Sequence, residues 1–377
     1  MALSSFRQRL LIAALSTLAV SVFAAIPASA QEITYYNFDT PATASPAQYT
    51  YACSASNPAS NPLFCFNYAG SNQDPLFIQD PANSGPWATQ MTYSEPSQAA
   101  SMWFSIPQKV AEGFNVWFQF KITPSSNSGN TADGIAFVIH NAQGVSGTDP
   151  SGSCSETGYG PTVVGSAGGC MGYGGIDNSL ALEFDTYYNS NFGDPQAHTS
   201  PTEPTYNDNH IALQDCGAGN INSPDHNICL VTLAATQSTP AVSTLIPNPA
   251  SSSTGNVVTL ADGNVHDVVI VYNGPLDTPA NTISVYLDPQ YNQGTHTPVA
   301  GSTPIFTGPF DITQAINLLN SGSANDSAYV GFTAGTGAAF ETHEIMAWTF
   351  TPHTTVTQQQ PLNSPGTPTT FNFGTHT

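Results

Sequence analysis

Glu183-Phe184-Asp185-Thr186-Tyr187-Tyr188-Asn189, closed shortly afterwards by Asp194-Pro195, is the stretch from which the rest of the chain can be read. Side chains on a strand alternate between faces with a period of two. That period sends Leu180, Leu182 and Phe184 into a core and turns Glu183, Asp185 and Tyr187 to the opposite face. Two carboxylates about 7 Å apart along one strand face repel each other unless a cation lies between them. Asn189 and Asp194 follow from the loop and add further oxygen donors. Hard divalent ions such as calcium favour an oxygen-rich, partly anionic shell. The expectation is therefore a strand that ends in a metal site at its junction with a loop.

The same period of two recurs along the chain. Phe114, Val116, Phe118, Phe120 and Ile122 alternate with Asn115, Trp117, Gln119 and Lys121, and Ile283, Val285 and Leu287 alternate with Ser284, Tyr286 and Asp288. Further strands are expected at residues 33–38, 135–140, 267–272, 329–334 and 343–350. Helical periodicity is almost absent, and 31 Gly and 30 Pro supply turns between the strands. An all-β sandwich of antiparallel sheets follows. Residues 214–263 are rich in Ser, Thr, Asn and Pro and read as long loops, pinned if Cys216 pairs with Cys229. Residues 352–377 read as a flexible Thr/Pro-rich tail. The sandwich domain is expected over residues 31–351.

Composition narrows what such a domain could meet. Arg7 and Arg9, the apolar run from Leu10 to Phe23 and Ala28-Ser29-Ala30 form a secretory signal peptide over residues 1–30, which predicts a secreted protein. Lys plus Arg number 4 against 25 Asp plus Glu, a net charge of −21. Beyond the leader only Lys109 and Lys121 remain as strong bases, so nothing could neutralise the phosphates of a nucleic acid or an anionic membrane. No later segment is apolar enough to insert into a bilayer. Neutral ligands and cations remain as partners. The six cysteines suit an oxidising destination and are expected to pair with their sequence neighbours: Cys53 with Cys65, Cys154 with Cys170, and Cys216 with Cys229.

Several segments, taken in order, resemble the legume-type (L-type) lectins, in the version found in secreted bacterial proteins. They are Ala132-Asp133-Gly134-Ile135-Ala136-Phe137, the glycine-rich Gly168 to Ile176, the Glu183 to Pro195 stretch, Asn209-His210-Ile211-Ala212-Leu213, and Val330 to Gly337 running into His343-Glu344-Ile345-Met346-Ala347-Trp348-Thr349-Phe350. The resemblance implies a concanavalin A-like sandwich that binds carbohydrate over two ions, Ca2+ and a transition metal such as Mn2+. It implies that Glu183, Asp185, Asp194 and His210 hold the transition metal. Asp185 and Asp194 would bridge to calcium, whose shell the Tyr187 carbonyl and the Asn189 side chain complete. Imidazole suits the transition metal and is foreign to calcium. Sugar hydroxyls would meet Asp133, behind a cis Ala132-Asp133 bond, together with the Gly169 amide and the Asn189 amide. The Tyr187 ring would take the sugar's C–H face, and Ala338 and Ala339 fall in the loop that varies with specificity.

The chain departs from the family pattern in two places. A long Pro/Thr-rich insertion separates Pro195 from Asn209, so His198 or Asp208 could compete with His210 for the transition metal. Ala339 stands where some relatives carry a polar side chain, which leaves backbone groups to make the contacts there. Three functions are in view: a non-catalytic carbohydrate-binding protein, which could assemble as a homo-oligomer; a structural or adhesive surface protein whose metals only hold the fold; and a glycoside hydrolase on the same sandwich. Retaining hydrolysis needs two carboxyls about 5–5.5 Å apart, and the glucanases that share this fold resemble Glu-x-Asp-x-Glu. Here the final position is Tyr187, so the second carboxyl is missing. Adjacent strand residues face opposite sides, so His343 and Glu344 form no acid/base pair.

Overall fold

The computed structural model describes residues 33–35, 53–56, 64–70, 76–79, 87–126, 130–195, 209–231, 243–245, 259–318 and 326–353. The expected leader, most of the expected tail, His198 and Asp208 lie outside them. The described chain folds into two antiparallel sheets, with strands numbered along the sequence. The first sheet runs, in spatial order, β14 (Phe306–Pro309), β13 (Thr282–Leu287), β12 (Val265–Asn273), β7 (Gly113–Pro124), β16 (Glu341–Pro352), β4 (Trp87–Thr92) and β3 (Leu76–Gln79), and β1 (Ile33–Tyr35) pairs with the far half of β16. The second runs β11 (Ser243–Leu245), β10 (His210–Gln214), β9 (Ser179–Asp185), β8 (Gly134–His140), β15 (Ser327–Thr336), β5 (Gln98–Phe104) and β2 (Phe64–Gly70), with β6 (Gln108–Lys109) on β15. The alternating segments fall on β7, β8, β12, β13, β15 and β16, Asp288 lies just past the end of β13, and of the strand expected over 33–38 only β1 lies within the described residues.

The alternating apolar rows meet between the layers. Phe118 of β7 packs its ring against Phe137 of β8, Phe184 of β9 and Phe332 of β15, with centroids 5.9, 5.8 and 5.0 Å away. Phe118 therefore ties three strands of the second sheet to the first. Burying one such ring contributes roughly 1.5–3 kcal/mol. Leu180, Leu182 and Phe184 point into this core as their parity requires.

The outer face of the second sheet is also buried. The segment between β8 and β9 folds back over it, and Val163, Met171, Tyr173 and Ile176 pack on Trp103, Ala136, Val138 and Ala181. All seven residues of β5, of β8 and of β9 are buried as a result. The face that carries Glu183 and Asp185 is thus a roofed chamber, not a solvated surface. The cysteines pair as expected, Cys53–Cys65, Cys154–Cys170 and Cys216–Cys229. The second of these closes the roof, and the third closes the loop after β10.

Candidate functional site

Strand register assembles one end of the second sheet into a site. Asp185 stands opposite Gly134 on one side and His210 on the other, while Glu183 stands opposite Ala136 and Ala212. Asp133 directly precedes Gly134, so Asp133, Asp185 and His210 come from three adjacent strand ends. The Ala132-Asp133 bond is cis, as the family resemblance implied. The Asp133 carbonyl accepts from the Thr186 amide at 2.8 Å and from its hydroxyl at 3.1 Å. Thr186 Oγ1 also donates to Glu341, whose carboxylate lies 3.1 Å from His343 Nε2. Thr92 Oγ1 meets the other ring nitrogen of His343 at 2.6 Å. This buried chain of hydrogen bonds packs His343 and the start of β16 beneath the Asp133 loop.

The inner part of the site is a knot of carboxylates and imidazoles. Glu183 and Asp185 are 0% and 2% exposed, and Asp194 is 7% exposed. Asp185 Oδ1 accepts from the Tyr187 amide at 2.6 Å, and Asp194 Oδ2 accepts from the Asn189 amide at 2.5 Å. The loop thus wraps its backbone donors around the two aspartates. Asp185, Asp194 and His210 present donor atoms that all lie within 4.8 Å of one another, and so do Glu183, His210 and His226. Tyr173 Oη donates to Glu183 Oε2 at 2.5 Å, which fixes that carboxylate from behind.

The electrostatics are those of a site built for positive charge. Burial holds Asp185 well above the usual carboxylate range, and the charges of Asp194 and Glu183 push it further. Burial likewise raises Asp194 to about 6, against the opposing pull of His210 and His226. Asp133 is raised by burial and by the charges of Glu341 and Asp194. Glu183 goes the other way: burial works to raise it, but hydrogen bonds from His210 and His226 outweigh that and hold it below the usual range. A divalent cation among Asp185, Asp194 and Asn189 would relieve the repulsion.

Two of the buried side-chain oxygens that lack a hydrogen bond lie on the loops of this site. Asn189 Oδ1 and Asp133 Oδ2 are buried, and no well-aligned hydrogen bond reaches either atom among the described residues, although the Gly337 amide lies close enough to the Asp133 carboxyl to pull it down against its burial. An unsatisfied buried oxygen costs about 1–3 kcal/mol, so each calls for a donor or a cation. Gly169 lies directly over Asn189: a Cβ there would sit 2.8 Å from Asn189 Oδ1 and 2.9 Å from the Phe192 ring. Only glycine allows that approach. Gly337 lies against Asp133 Oδ2 on the other side, and its amide is tied to the Ala339 carbonyl at 3.1 Å. Ala338 is exposed at the rim, while Ala339, Tyr187 and Asn189 are half-buried. Among the described residues, the metal and sugar positions named from the sequence are on this strand end or its bordering loops, whereas His198 and Asp208 lie outside the described residues.

One residue of the site escapes a reading of the sequence. His198 and Asp208, the expected competitors of His210, lie outside the described residues; among those described, the imidazole beside His210 is His226, from the loop closed by Cys216–Cys229. Its Nε2 lies 2.8 Å from Glu183 Oε1 and 3.3 Å from His210 Nε2. His226 sits 16 residues beyond His210 in a stretch without periodicity. The signal available is a histidine three residues before a cysteine whose partner lies just after β10.

A legume lectin domain model matches residues 66–366. The chain belongs to the legume lectin family. Its sandwich is the family's concanavalin A-like fold, and the family's members bind carbohydrate without catalysing a reaction on it. Among solved structures, the chain is similar to a lectin from Bauhinia forficata in complex with GalNAc, at 16% identity over 85% of this chain and 97% of that one, with a TM-score of 0.45. It is similar to lectin II from Ulex europaeus at 18% identity, over 85% and 99% of the two chains, with a TM-score of 0.42. It is also similar to the exoplasmic/lumenal domain of VIP36 in a Ca2+/Man2-bound form, at 14% identity, over 82% and 87%, with a TM-score of 0.41. Family membership rests on the domain match and not on these distant likenesses.

Proposed function

We propose that this protein is a secreted lectin whose carbohydrate site depends on bound metal. The observation that carries the reading is the pair of buried oxygens without a well-aligned hydrogen bond, Asn189 Oδ1 and Asp133 Oδ2, held at one strand end above the Asp185, Asp194 and His210 donors. Calcium would be held by Asp185, Asp194, the Asn189 side chain and the Tyr187 carbonyl, and a transition metal by Glu183, Asp185, Asp194 and His210. The ions supply charge that fixes the loop and keeps the carboxylates ionised. Asp133 then accepts hydrogen bonds from two sugar hydroxyls, and charge-assisted bonds of this kind are shorter and stronger than neutral ones. The Gly169 amide donates to a sugar oxygen, Asn189 couples ligand to metal, and Tyr187 offers its ring to the C–H face. Ala338 and Ala339 border the opening with backbone and small side chains, so loop shape sets the choice of sugar. The leader and three disulfides suit an oxidising destination.

The test is a glycan-array screen of the mature protein with Ca2+ and Mn2+, repeated with chelator. Binding to a defined set of sugars that disappears with chelator supports the reading. Binding that survives chelation removes the metal from the sugar site, and no binding by a folded, metal-loaded protein leaves the metals a purely structural role.

A further inference from the structure

The donor set around Glu183 is richer in imidazole than the lectin reading requires. His226 Nε2 is 2.8 Å from Glu183 Oε1 and 3.8 Å from Asp194 Oδ1, and His210 Nε2 is 3.5 Å from the same Glu183 oxygen. The two Nε2 atoms are 3.3 Å apart, with their rings nearly perpendicular at 74°. Hydrogen bonding alone serves this arrangement poorly. One proton serves it only in part: His226 Nε2–H can donate to Glu183 at 2.8 Å, but the His210 Nε2 then faces that group at 3.3 Å and the same carboxylate oxygen at 3.5 Å without a full bond to either, and two protons would crowd one another. A cation uses all three at once.

The loop that delivers His226 is built to hold it still. The His226 amide donates to the Phe192 carbonyl at 2.7 Å, which ties it to the Asn189–Asp194 loop. Asp225 accepts from the Asn227 amide at 2.8 Å and its carbonyl accepts from the amides of Ile228 and Cys229, so the histidine sits in a closed turn ending at the disulfide. Asn227 packs on Gly193, whose φ of +73° and missing Cβ permit the contact; a Cβ there would collide with Asn227 Nδ2. On the carboxylate side, Tyr173 Oη and Gln214 Nε2 both donate to Glu183, at 2.5 and 3.3 Å, and so orient it toward the two rings. Outer donors of this kind fix a ligand for its metal.

We propose that His226 is a ligand of the transition-metal position, making it a two-imidazole centre that selects an imidazole-preferring ion of the zinc class over manganese. This rests on the metal-dependent reading of the site and extends it. Manganese stands at the weak end of the divalent series and favours oxygen, whereas nitrogen donors favour zinc, nickel and copper. Replacing an oxygen or water ligand by imidazole therefore widens the gap between zinc and manganese.

The experiment is competitive calorimetric titration of Zn2+ and Mn2+ on the metal-stripped, mature protein with calcium present, comparing wild type with His226→Gln. Wild type is expected to prefer zinc by about 100-fold or more, and the variant to lose about tenfold of that preference. An unchanged zinc-to-manganese ratio in a folded variant overturns the proposal. Should the variant not fold, 15N-histidine spectra of wild type during zinc addition decide it: two Nε2 resonances shift if the proposal holds, and one alone overturns it. The lectin reading fails separately, if neither calcium nor any transition ion binds the wild-type protein; a calcium-dependent sugar binder with a single metal-responsive imidazole leaves that reading intact and removes only this one.

Discussion

Asp133, just before β8, and Asn189, just after β9, come from neighbouring strands of one sheet. Each has a side-chain oxygen buried without a well-aligned hydrogen bond, although the surrounding loops supply amides freely to Asp185 and Asp194. In the proposed function a sugar hydroxyl and a calcium ion complete them. Asp133→Ala is therefore expected to lower sugar affinity at least tenfold, on the scale of about 1.5–3 kcal/mol for a charge-assisted hydrogen bond. The rise in thermal midpoint on adding Ca2+ should persist, because Asp133 does not contribute to the proposed calcium shell. A variant that binds sugar as tightly as the parent would remove Asp133 from the site. His140 offers a contrast at the same scale. Its ring lies between Trp103 and Tyr329, with centroids 4.3 and 5.4 Å away, and burial lowers it to about 3. It is an imidazole used as a packing group.

At the scale of elements, β9 does two jobs with opposite faces: Phe184 anchors the core, and Glu183 and Asp185 line the chamber. Its strand character is legible because apolar and charged residues alternate. The burial of the charged face is not, since the segment that roofs it comes from a loop whose packing follows no short-range period. The same roof hides β5 from sequence reading: Gln98–Phe104 is buried at all seven positions and so shows no alternation. His226 is illegible for a related reason, since a disulfide and a turn bring it to the site. Separating that loop from its tether should be measurable. Cys216→Ser/Cys229→Ser opens a loop of sequence separation 13 and is expected to cost about 3 kcal/mol in urea unfolding. A loss below about 1 kcal/mol would show that the turn at Asp225 holds the loop without the disulfide.

For the molecule as a whole, the buried acids predict how pH and metal act together on stability. In the metal-free protein, burial raises Asp185 and Asp133, and Asp194 to about 6. A carboxyl raised on folding contributes stability that is complete below its unfolded value near 4 and is lost as pH rises through about 6. Calcium bound at the proposed site would favour the ionised forms and reverse that loss. The gain in thermal midpoint from saturating Ca2+ should then be small at pH 5 and grow steadily to pH 7.5. Equal gains at both pH values would place the ion away from Asp194. Each tenfold difference in a carboxyl's proton affinity between folded and unfolded chains corresponds to about 1.4 kcal/mol, enough to be read as several degrees.

Strand β16 measures the sandwich from end to end. It begins at Glu341, hydrogen-bonded beneath the Asp133 loop, and runs 12 residues to Pro352, about 40 Å away at the usual rise per residue. At that far end Phe350 pairs with Ile33 of β1. Strands β1 and β16 thus meet at the end of the sandwich opposite the candidate site. A tether that held the domain at Ile33 or Pro352 would grip it by that end and leave Asp133 and its loops at the free one, as the tip of a probe.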